Sequence, residues 1–251
     1  MDDLEASIVE ALGRRGAVLH DAYRGPWVGI APKTGVGVSF KPEVTIDSET
    51  LRLLGAIPRP RLIWISLAHT VLATDLAPLR DYDLRALALN NTNFIDKGRV
   101  LPELKNLRWL NLYCTQIADT DIRGLAQLPQ LEQLFVGGTN VTHEGVRELA
   151  QCKTLKYLDL EASKITDEVL KAVSVLEDLE GLNIAGSMAE VSDEGVNALL
   201  AMRHLRLLGF HPPPSISAAA VERLRSIPGL NFIHGGCAGL FRPKDFKVYF
   251  F

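Results

Sequence analysis

A leucine-rich phrase that recurs about every 24 residues restricts the fold of this chain more than any other feature. The phrase is L-x-x-L-x-L, in which isoleucine, valine or phenylalanine sometimes replaces a leucine. Its copies begin at Leu62, Leu84, Leu107, Leu131, Leu155, Leu179, Leu205 and Leu230, and the last copy is truncated. Self-similarity at a fixed period of this length is the signature of a repeat architecture, in which each unit packs only against its neighbours.

The second half of each unit has its own pattern. Apolar residues recur after the phrase, and the last three of each set are three residues apart, as in Leu170, Val173 and Leu176. This spacing places them on one stripe of a helix. Hydroxyl residues at N-cap positions and aspartates in the first turn mark the helix starts, namely Thr142, Thr166, Ser192 and Ser217, and Asp119, Asp167 and Asp193. Each unit therefore predicts a short strand, a turn and a helix.

Stacked units of this kind share one core and a parallel strand ladder, so the sequence predicts an α/β solenoid. The combined pattern resembles the leucine-rich repeat family over about residues 60–235. The phrase at residues 158–167 is similar to helix-containing repeats of the bacterial style, of the ribonuclease-inhibitor-like and cysteine-containing types. The resemblance implies a curved, right-handed strand–helix array with a parallel sheet on the concave face and a cap at each end.

A hydroxyl residue stands where the family consensus has an asparagine after the strand. In successive copies it is Thr92, Thr115, Thr139, Ser163 and Ser187. We expect this side chain to hydrogen-bond a backbone group that the end of the strand leaves without a partner.

The limits of the repeats divide the chain into three regions. Residues 1–58 are predicted to form an N-terminal cap, residues 59–235 about seven to eight repeats of 22–26 residues, and residues 236–251 a C-terminal cap or tail. Because the tail ends in apolar residues, we expect it to lie over the last repeat. A contact with a partner or with a second copy of the chain is the alternative.

The N-terminal region is expected to contain both helices and strands. Helical spacing of apolar residues occurs at Leu4, Ile8, Val9 and Leu12. Residues 27–30 and 36–40 favour two short strands around a turn, and residues 48–54 favour a second helix. Val44 and Ile46 resemble a degenerate first copy of the repeated phrase.

Composition narrows the classes of protein. The net charge is −3 and the isoelectric point about 6.1, which argues against a nucleic-acid binder or a protein that binds anionic membranes. No apolar run approaches the roughly 20 residues that cross a bilayer, and the acidic start does not resemble a secretory signal. The three cysteines are far apart, which is typical of a reducing compartment. We therefore expect a cytoplasmic protein.

Recognisable catalytic and metal-binding motifs are missing from the sequence. His143 and Glu144 do not belong to an H-E-x-x-H helix, because position 147 is arginine. Cys152 occupies a core position of the repeat, and Cys114 has no recurring histidine beside it. We expect no catalytic residue, no metal ion, no small-molecule cofactor and no enzyme activity.

The strand residues that face away from the helices are predicted to line an open concave surface. Four aromatic residues occur there on three adjacent strands, at positions where the repeat does not require an apolar side chain. Since neighbouring strands lie about 4.8 Å apart, we expect one aromatic patch with polar and acidic neighbours, and a further tryptophan two strands to one side. The predicted partner-binding residues are Trp109, Asn111, Tyr113, Phe135, Tyr157, Asp159, Glu161 and Trp64. Aromatic anchors with a polar rim are typical of protein interfaces.

The sequence favours a non-enzymatic module that binds a partner protein through this concave face and is monomeric on its own. Inhibition or neutralisation of the partner, as by an immunity protein, would be one use of such an architecture. One alternative is a structural subunit of a larger assembly. The other is an enzyme whose site lies in the first 58 residues or in the tail.

Overall fold

Short strands alternate with short helices along the chain, at the period of the sequence repeat. The computed structural model describes residues 3–21, 35–57, 62–94 and 100–233. The predicted strand at 27–30 and the tail at 236–251 lie outside these described residues. The strands are β1 Ala17–Asp21, β2 Val36–Phe40, β3 Thr45–Ile46, β4 Leu62–Ser66, β5 Val71–Leu72, β6 Ala86–Ala88, β7 Trp109–Asn111, β8 Gln133–Phe135, β9 Tyr157–Asp159, β10 Lys164–Thr166, β11 Gly181–Asn183, β12 Ser187–Glu190, β13 Leu207–Gly209 and β14 Asn231–Ile233. The α-helices are α1 Asp3–Arg14, α2 Ser48–Gly55, α3 Asp119–Leu125, α4 His143–Glu148, α5 Asp167–Val173, α6 Asp193–Ala198 and α7 Ala218–Leu224.

Ten strands of the described ranges form one sheet in the order β1–β2–β4–β6–β7–β8–β9–β11–β13–β14. Each neighbouring pair is parallel except β1 with β2. The register is constant through the repeats, so that the middle leucines form one row across the sheet, which consists of Leu110, Leu134, Leu158, Leu182 and Leu208. The α/β solenoid with a parallel sheet, predicted from the repeats, is confirmed.

One continuous core lies between this sheet and the helices. The leucines of the repeated phrase and the apolar stripes of the helices are buried in it together, as the two half-patterns predict. Cys152 is buried there too, at the core position expected for it. Within the described ranges, no helix combines the length and the apolarity that crossing a membrane requires.

The helix starts follow the sequence signals. In α4 to α7 the N-cap is the predicted hydroxyl residue, and its side-chain oxygen accepts a hydrogen bond from a backbone N–H in the first turn. In α3 the N-cap is Ala118, whose own N–H donates to Asp121 Oδ2 at 2.9 Å. The aspartates predicted in the first turn open α3, α5 and α6.

Those aspartates also connect one unit to the next. Asp167 Oδ1 accepts a hydrogen bond from the Ser192 N–H at 2.8 Å, and its Oδ2 accepts one from Ser192 Oγ at 2.6 Å. The same two bonds join Asp119 to Thr142 and Asp193 to Ser217. A charged acceptor from one repeat thus fixes the N-cap of the following helix, a contact that the sequence analysis did not predict.

The expectation of an α-helix in every unit is wrong for the two units that begin at Leu62 and Leu84. They contain 3-10 helices instead, at Ala77–Asp81 and Leu101–Glu103. These units are 22 and 23 residues long, shorter than the 24-residue units that follow. A 3-10 helix rises about 2.0 Å per residue against 1.5 Å in an α-helix, so it spans the same connection with fewer residues.

The hydroxyl position after the strand has the expected role in most copies. The Oγ1 atoms of Thr92, Thr115 and Thr139 donate to the carbonyl three residues earlier, at 2.6, 2.6 and 2.5 Å. Thr70 makes the same bond in the copy before them. Ser163 is the exception among the described side chains, because its buried Oγ has no hydrogen-bond partner among the described residues. The side chain of Ser187, the fifth predicted member, lies outside the described part of the chain.

The first strand of the parallel ladder lies inside the region assigned to the N-terminal cap. β2 pairs with β4 in parallel, and its other edge is covered by the antiparallel strand β1. The sequence suggested that Val44 and Ile46 form a degenerate first copy of the repeated phrase. This is wrong, because neither residue belongs to the first repeat strand. Ile46 lies instead in β3, which pairs with β5 in a separate two-stranded sheet beyond the turn.

Candidate partner-binding face

The sheet presents a second face, opposite the helices, which we call the inner face. It is formed by the residues on either side of the central leucine of each strand. One row across the strands consists of Trp109, Gln133, Tyr157 and Gly181. The other row consists of Asn111, Phe135, Asp159, Asn183 and Gly209. The constant register therefore brings the predicted residues of β7, β8 and β9 together.

Three of the predicted aromatic rings are in contact. The ring centroids of Trp109 and Phe135 are 5.3 Å apart, and those of Phe135 and Tyr157 are also 5.3 Å apart. Trp64 lies on β4, two strands from β7, as expected. It stacks on His20 of β1 with the centroids 5.1 Å apart.

Gly37 explains why the Trp64 indole lies flat against the neighbouring strand. A Cβ atom at residue 37 would be 1.6 Å from Trp64 Cε2, so any other residue would displace the ring. The sequence analysis did not identify His20 or Gly37. The contact of His20 with Trp64 depends on the antiparallel strand β1, which was not predicted, whereas Gly37 lies in the predicted strand at 36–40 and pairs directly with Trp64 of β4.

The predicted exposure of the aromatic patch is wrong. Trp109 keeps only 2% of its surface exposed and Phe135 only 3%, while Tyr157 is half-buried. Asn111, Asp159, Glu161 and Trp64 are buried as well, and Tyr113 lies half-buried at the margin. The prediction treated only the consensus positions as core. A group of large apolar rings in contact across adjacent strands is itself stabilised by burial, and here it forms part of a second, smaller hydrophobic cluster.

Two buried carboxylates lie beside the aromatic rings. Asn183 Nδ2 donates to Asp159 Oδ2 at 2.9 Å and to Glu161 Oε2 at 3.2 Å, so one amide group bridges both acids. The backbone N–H of Glu161 donates to Asp159 Oδ1 at 2.9 Å. No basic side chain of the described residues forms an ion pair with either acid. We call Asp159 and Glu161 the acidic pair.

Burial shifts the titration of this group. Desolvation raises the pKa of Asp159 to about 6, although the hydrogen bond from Asn183 opposes the shift. Desolvation and the negative charge of Asp159 raise the pKa of Glu161 to about 7. Desolvation, followed by the charge of Glu161, raises the pKa of Tyr113 to about 12. The acidic pair is therefore a place where a cationic group would be stabilised.

Glycines make room for the acidic pair. A Cβ atom at Gly137 would lie 2.4 Å from the Glu161 carbonyl oxygen and 2.9 Å from Asp159 Oδ1. A Cβ atom at Gly209 would lie 2.4 Å from Asn183 Oδ1. The neighbouring segments on both sides therefore carry no side chain at the places where the two carboxylates and the Asn183 amide lie.

Two solved structures have a similar arrangement of sheet and helices. The internalin inlF of Listeria monocytogenes str. 4b F2365 superposes with a TM-score of 0.58 at 22% identity, covering 76% of this chain and 51% of that one. Internalin C2 (inlC2) of the same strain gives a TM-score of 0.56 at 24% identity, covering 78% and 80%. This chain has the leucine-rich-repeat fold. It spans about half the length of the inlF structure. No protein-family model and no curated protein matches its sequence.

The leucine-rich-repeat fold keeps the remaining reactive side chains apart. No group of three or more His, Cys, Asp or Glu side chains within the described residues is arranged to hold a metal ion. His143 Nε2 lies 3.0 Å from Glu144 Oε1, a local pair at the start of α4. Cys114 is exposed in the turn after β7, where its φ of 52° lies in the left-handed region. The repeat subtype stays a prediction.

Asn183 is the functional residue that sequence reasoning missed. It was not among the predicted partner-binding residues, although it lies on β11, the strand next to β9. Its position in the repeat is that of Asp159 one unit later. This equivalence could have indicated the hydrogen bond between neighbouring units.

Proposed function

We propose that this protein is a non-enzymatic interaction module that binds a partner protein through the inner face of strands β7, β8, β9 and β11. The observation that supports this is the joint placement of three touching aromatic rings and the acidic pair on adjacent strands. The repeat itself requires none of these side chains, since the core on the helix side is complete without them.

The chemistry of the face favours a partner segment with both an apolar and a basic part. Aromatic anchors supply most of the binding energy at protein interfaces, and a desolvated carboxylate selects a cationic group. Because the rings are buried in the isolated chain, a partner must displace whatever shields them. Inhibition of the partner is the narrower role that we propose for such a contact, in a cytoplasmic and monomeric protein.

A capture experiment with matched variants tests this proposal. Tyr113→Ala and Glu161→Gln change the margin and the charge of the inner face, while Arg147→Ala changes an exposed residue on α4, on the opposite side of the sheet. The wild type and Arg147→Ala are expected to retain the same partner from native lysate, and both inner-face variants to lose it. Thermal unfolding checks that all variants are folded. Undiminished capture by folded Tyr113→Ala and Glu161→Gln would refute the proposal.

A further inference from the structure

The second hydrophobic cluster is buried although its described members all come from one layer. These members are Ile63, Trp64, Ala86, Ala88, Trp109 and Phe135, with Ala68 and Tyr157 packed against them. All belong to strands of the sheet or to the turn after β4. Helix residues of the described ranges occur in the other cluster and not in this one. A single layer of rings packed side by side would leave its outer surface in water, so another segment must shield it.

The length of a segment limits how far across the sheet it can extend, and so whether it can shield Tyr157 at the far end of the cluster. Residues 22–34 join β1 to β2, so both of their ends are fixed at one edge of the sheet. Thirteen residues that must return can extend about 22 Å, which reaches β8, four strand spacings or about 19 Å from β2, but not β9, five spacings or about 24 Å away. Residues 234–251 follow β14, which is about 14 Å from β9 and about 24 Å from β7. Eighteen extended residues cover about 60 Å.

The chemistry of residues 234–251 complements the inner face. Five of these 18 residues are aromatic, namely Phe241, Phe246, Tyr249, Phe250 and Phe251. Three are basic, namely Arg242, Lys244 and Lys247, against a single acid, Asp245. An apolar and cationic segment matches a face that offers aromatic rings and an acidic pair without a described basic partner.

We propose that residues 234–251 bind across the inner face of their own chain, with aromatic side chains against Phe135 and Tyr157 and basic side chains toward the acidic pair. The C-terminal segment then occupies the surface on which a partner would bind, rather than only closing the last repeat. This inference goes beyond the proposed function and does not depend on it, because the contact is a property of the chain alone.

Site-specific photo-crosslinking in the full-length protein tests the contact. Benzoyl-phenylalanine replaces Phe246, and peptide mass spectrometry locates the crosslinks within the monomer. We expect them on residues 109–113, 133–137 and 157–161. The same probe at Val175, an exposed residue beyond α5, serves as the control and is expected to give no crosslink to these strands.

Three results would overturn the inference. The first is a crosslink from residue 246 to the last repeat alone, between residues 205 and 233. The second is a crosslinked dimer as the main product, which would indicate a second copy as the occupant. The third is a probe at residue 27 that labels β8 and β9 while the probe at residue 246 does not.

A double-mutant cycle in the full-length chain gives a second measurement that does not need the probe. Phe135→Ala and Phe246→Ala are each expected to lower the urea midpoint of unfolding. If the two side chains are in contact, the double variant loses less than the sum of the single losses. Strictly additive losses would contradict the contact. Increased partner capture by Phe246→Ala would connect it to the proposed function, whereas failure of capture in all variants would affect that function alone.

Discussion

Gly195→Ala is expected to destabilise the protein, although glycine-to-alanine substitutions inside helices normally stabilise them by about 1 kcal/mol. Gly195 lies in the first turn of α6, buried against the preceding unit. A Cβ atom there would be 2.0 Å from Asp167 Oδ1 and 3.0 Å from Asp167 Cα. Alanine must therefore push the Asp167 side chain away from Ser192, to which it makes two hydrogen bonds.

The magnitude follows from those two bonds. Each contributes a net value of about 1 kcal/mol, so their loss costs about 2 kcal/mol, and the gain in helix propensity of about 1 kcal/mol offsets half of it. The close approach to the Asp167 backbone adds strain, which gives a net loss of about 1–2 kcal/mol. With Asp167→Ala already present, the hydrogen bonds are absent, and we expect Gly195→Ala to cost less than about 0.5 kcal/mol.

Two other helices of the chain carry a larger residue at the position equivalent to Gly195 and can be compared with α6. At the position equivalent to Gly195, α5 has Val169, and the residue equivalent to Asp167 is then His143 rather than an aspartate. Ala220 stands opposite Asp193 in α7, but there the N-cap Ser217 has φ −68°, against −113° for Ser192. A side chain larger than hydrogen is thus accommodated where the aspartate is missing or where the helix begins with another geometry.

Urea denaturation of the four proteins of this cycle measures the coupling. The four proteins are the wild type, Gly195→Ala, Asp167→Ala and the double variant, and they are compared at one pH. Stabilisation by Gly195→Ala in the wild-type background, or an equal loss in both backgrounds, would refute the reasoning that the glycine is required by the aspartate of the neighbouring unit.

Four further predictions concern the inner face and the turns. Phe135→Ala is expected to lower the free energy of unfolding by about 3–5 kcal/mol, similar to Leu134→Ala in the main core, whereas an exposed ring would cost less than about 1 kcal/mol in the same urea titration. Asp159→Asn is expected to become more stabilising relative to wild type as the pH rises. The folded-state pKa of about 6 exceeds the ordinary 3.8, so the wild type loses up to about 3 kcal/mol between pH 4 and 7. A difference between the two proteins that stays constant over this range would contradict the burial of the charge. Ala162→Gly is expected to stabilise by about 0.5–1 kcal/mol, because φ is 55° there. Gly138→Ala, at φ 63°, is expected to do the opposite, and calorimetric melting temperatures check both.

The helix side of the fold could be predicted from the sequence because each signal is local and repeated. The leucine row, the helix stripes and N-caps such as Thr142 and Ser192 occur in several copies at a constant spacing. Their environments are therefore equivalent, and one correct assignment determines the others. Strand β1 and its stacking residue His20 could not be found in this way, since they occur once and pair with β2 outside the repeat.

The inner face was predicted only in its layout. The strand order places Phe135 on β8, between the strands β7 and β9 that carry Trp109 and Tyr157, and this arrangement follows from the repeat alone. Whether the rings are exposed depends on a second layer of chain over the inner face, and the sequence of such a layer does not repeat. Aromatic residues are selected both for binding partners and for internal packing, so their presence does not distinguish an open face from a covered one.

The acidic pair separates these two uses of aromatic residues. A face that served only to be buried would be more stable with apolar residues at 159 and 161, because the buried carboxylates lose hydration and their described donors are only the Asn183 amide and the Glu161 N–H. The raised pKa of Asp159 shows that this loss is not fully offset within the described chain. A cationic group that binds at the pair would recover part of that free energy, whether it comes from residues 234–251 or from a partner. The buried charges are therefore the feature of this face that internal packing does not account for, and the one that the proposed binding would explain.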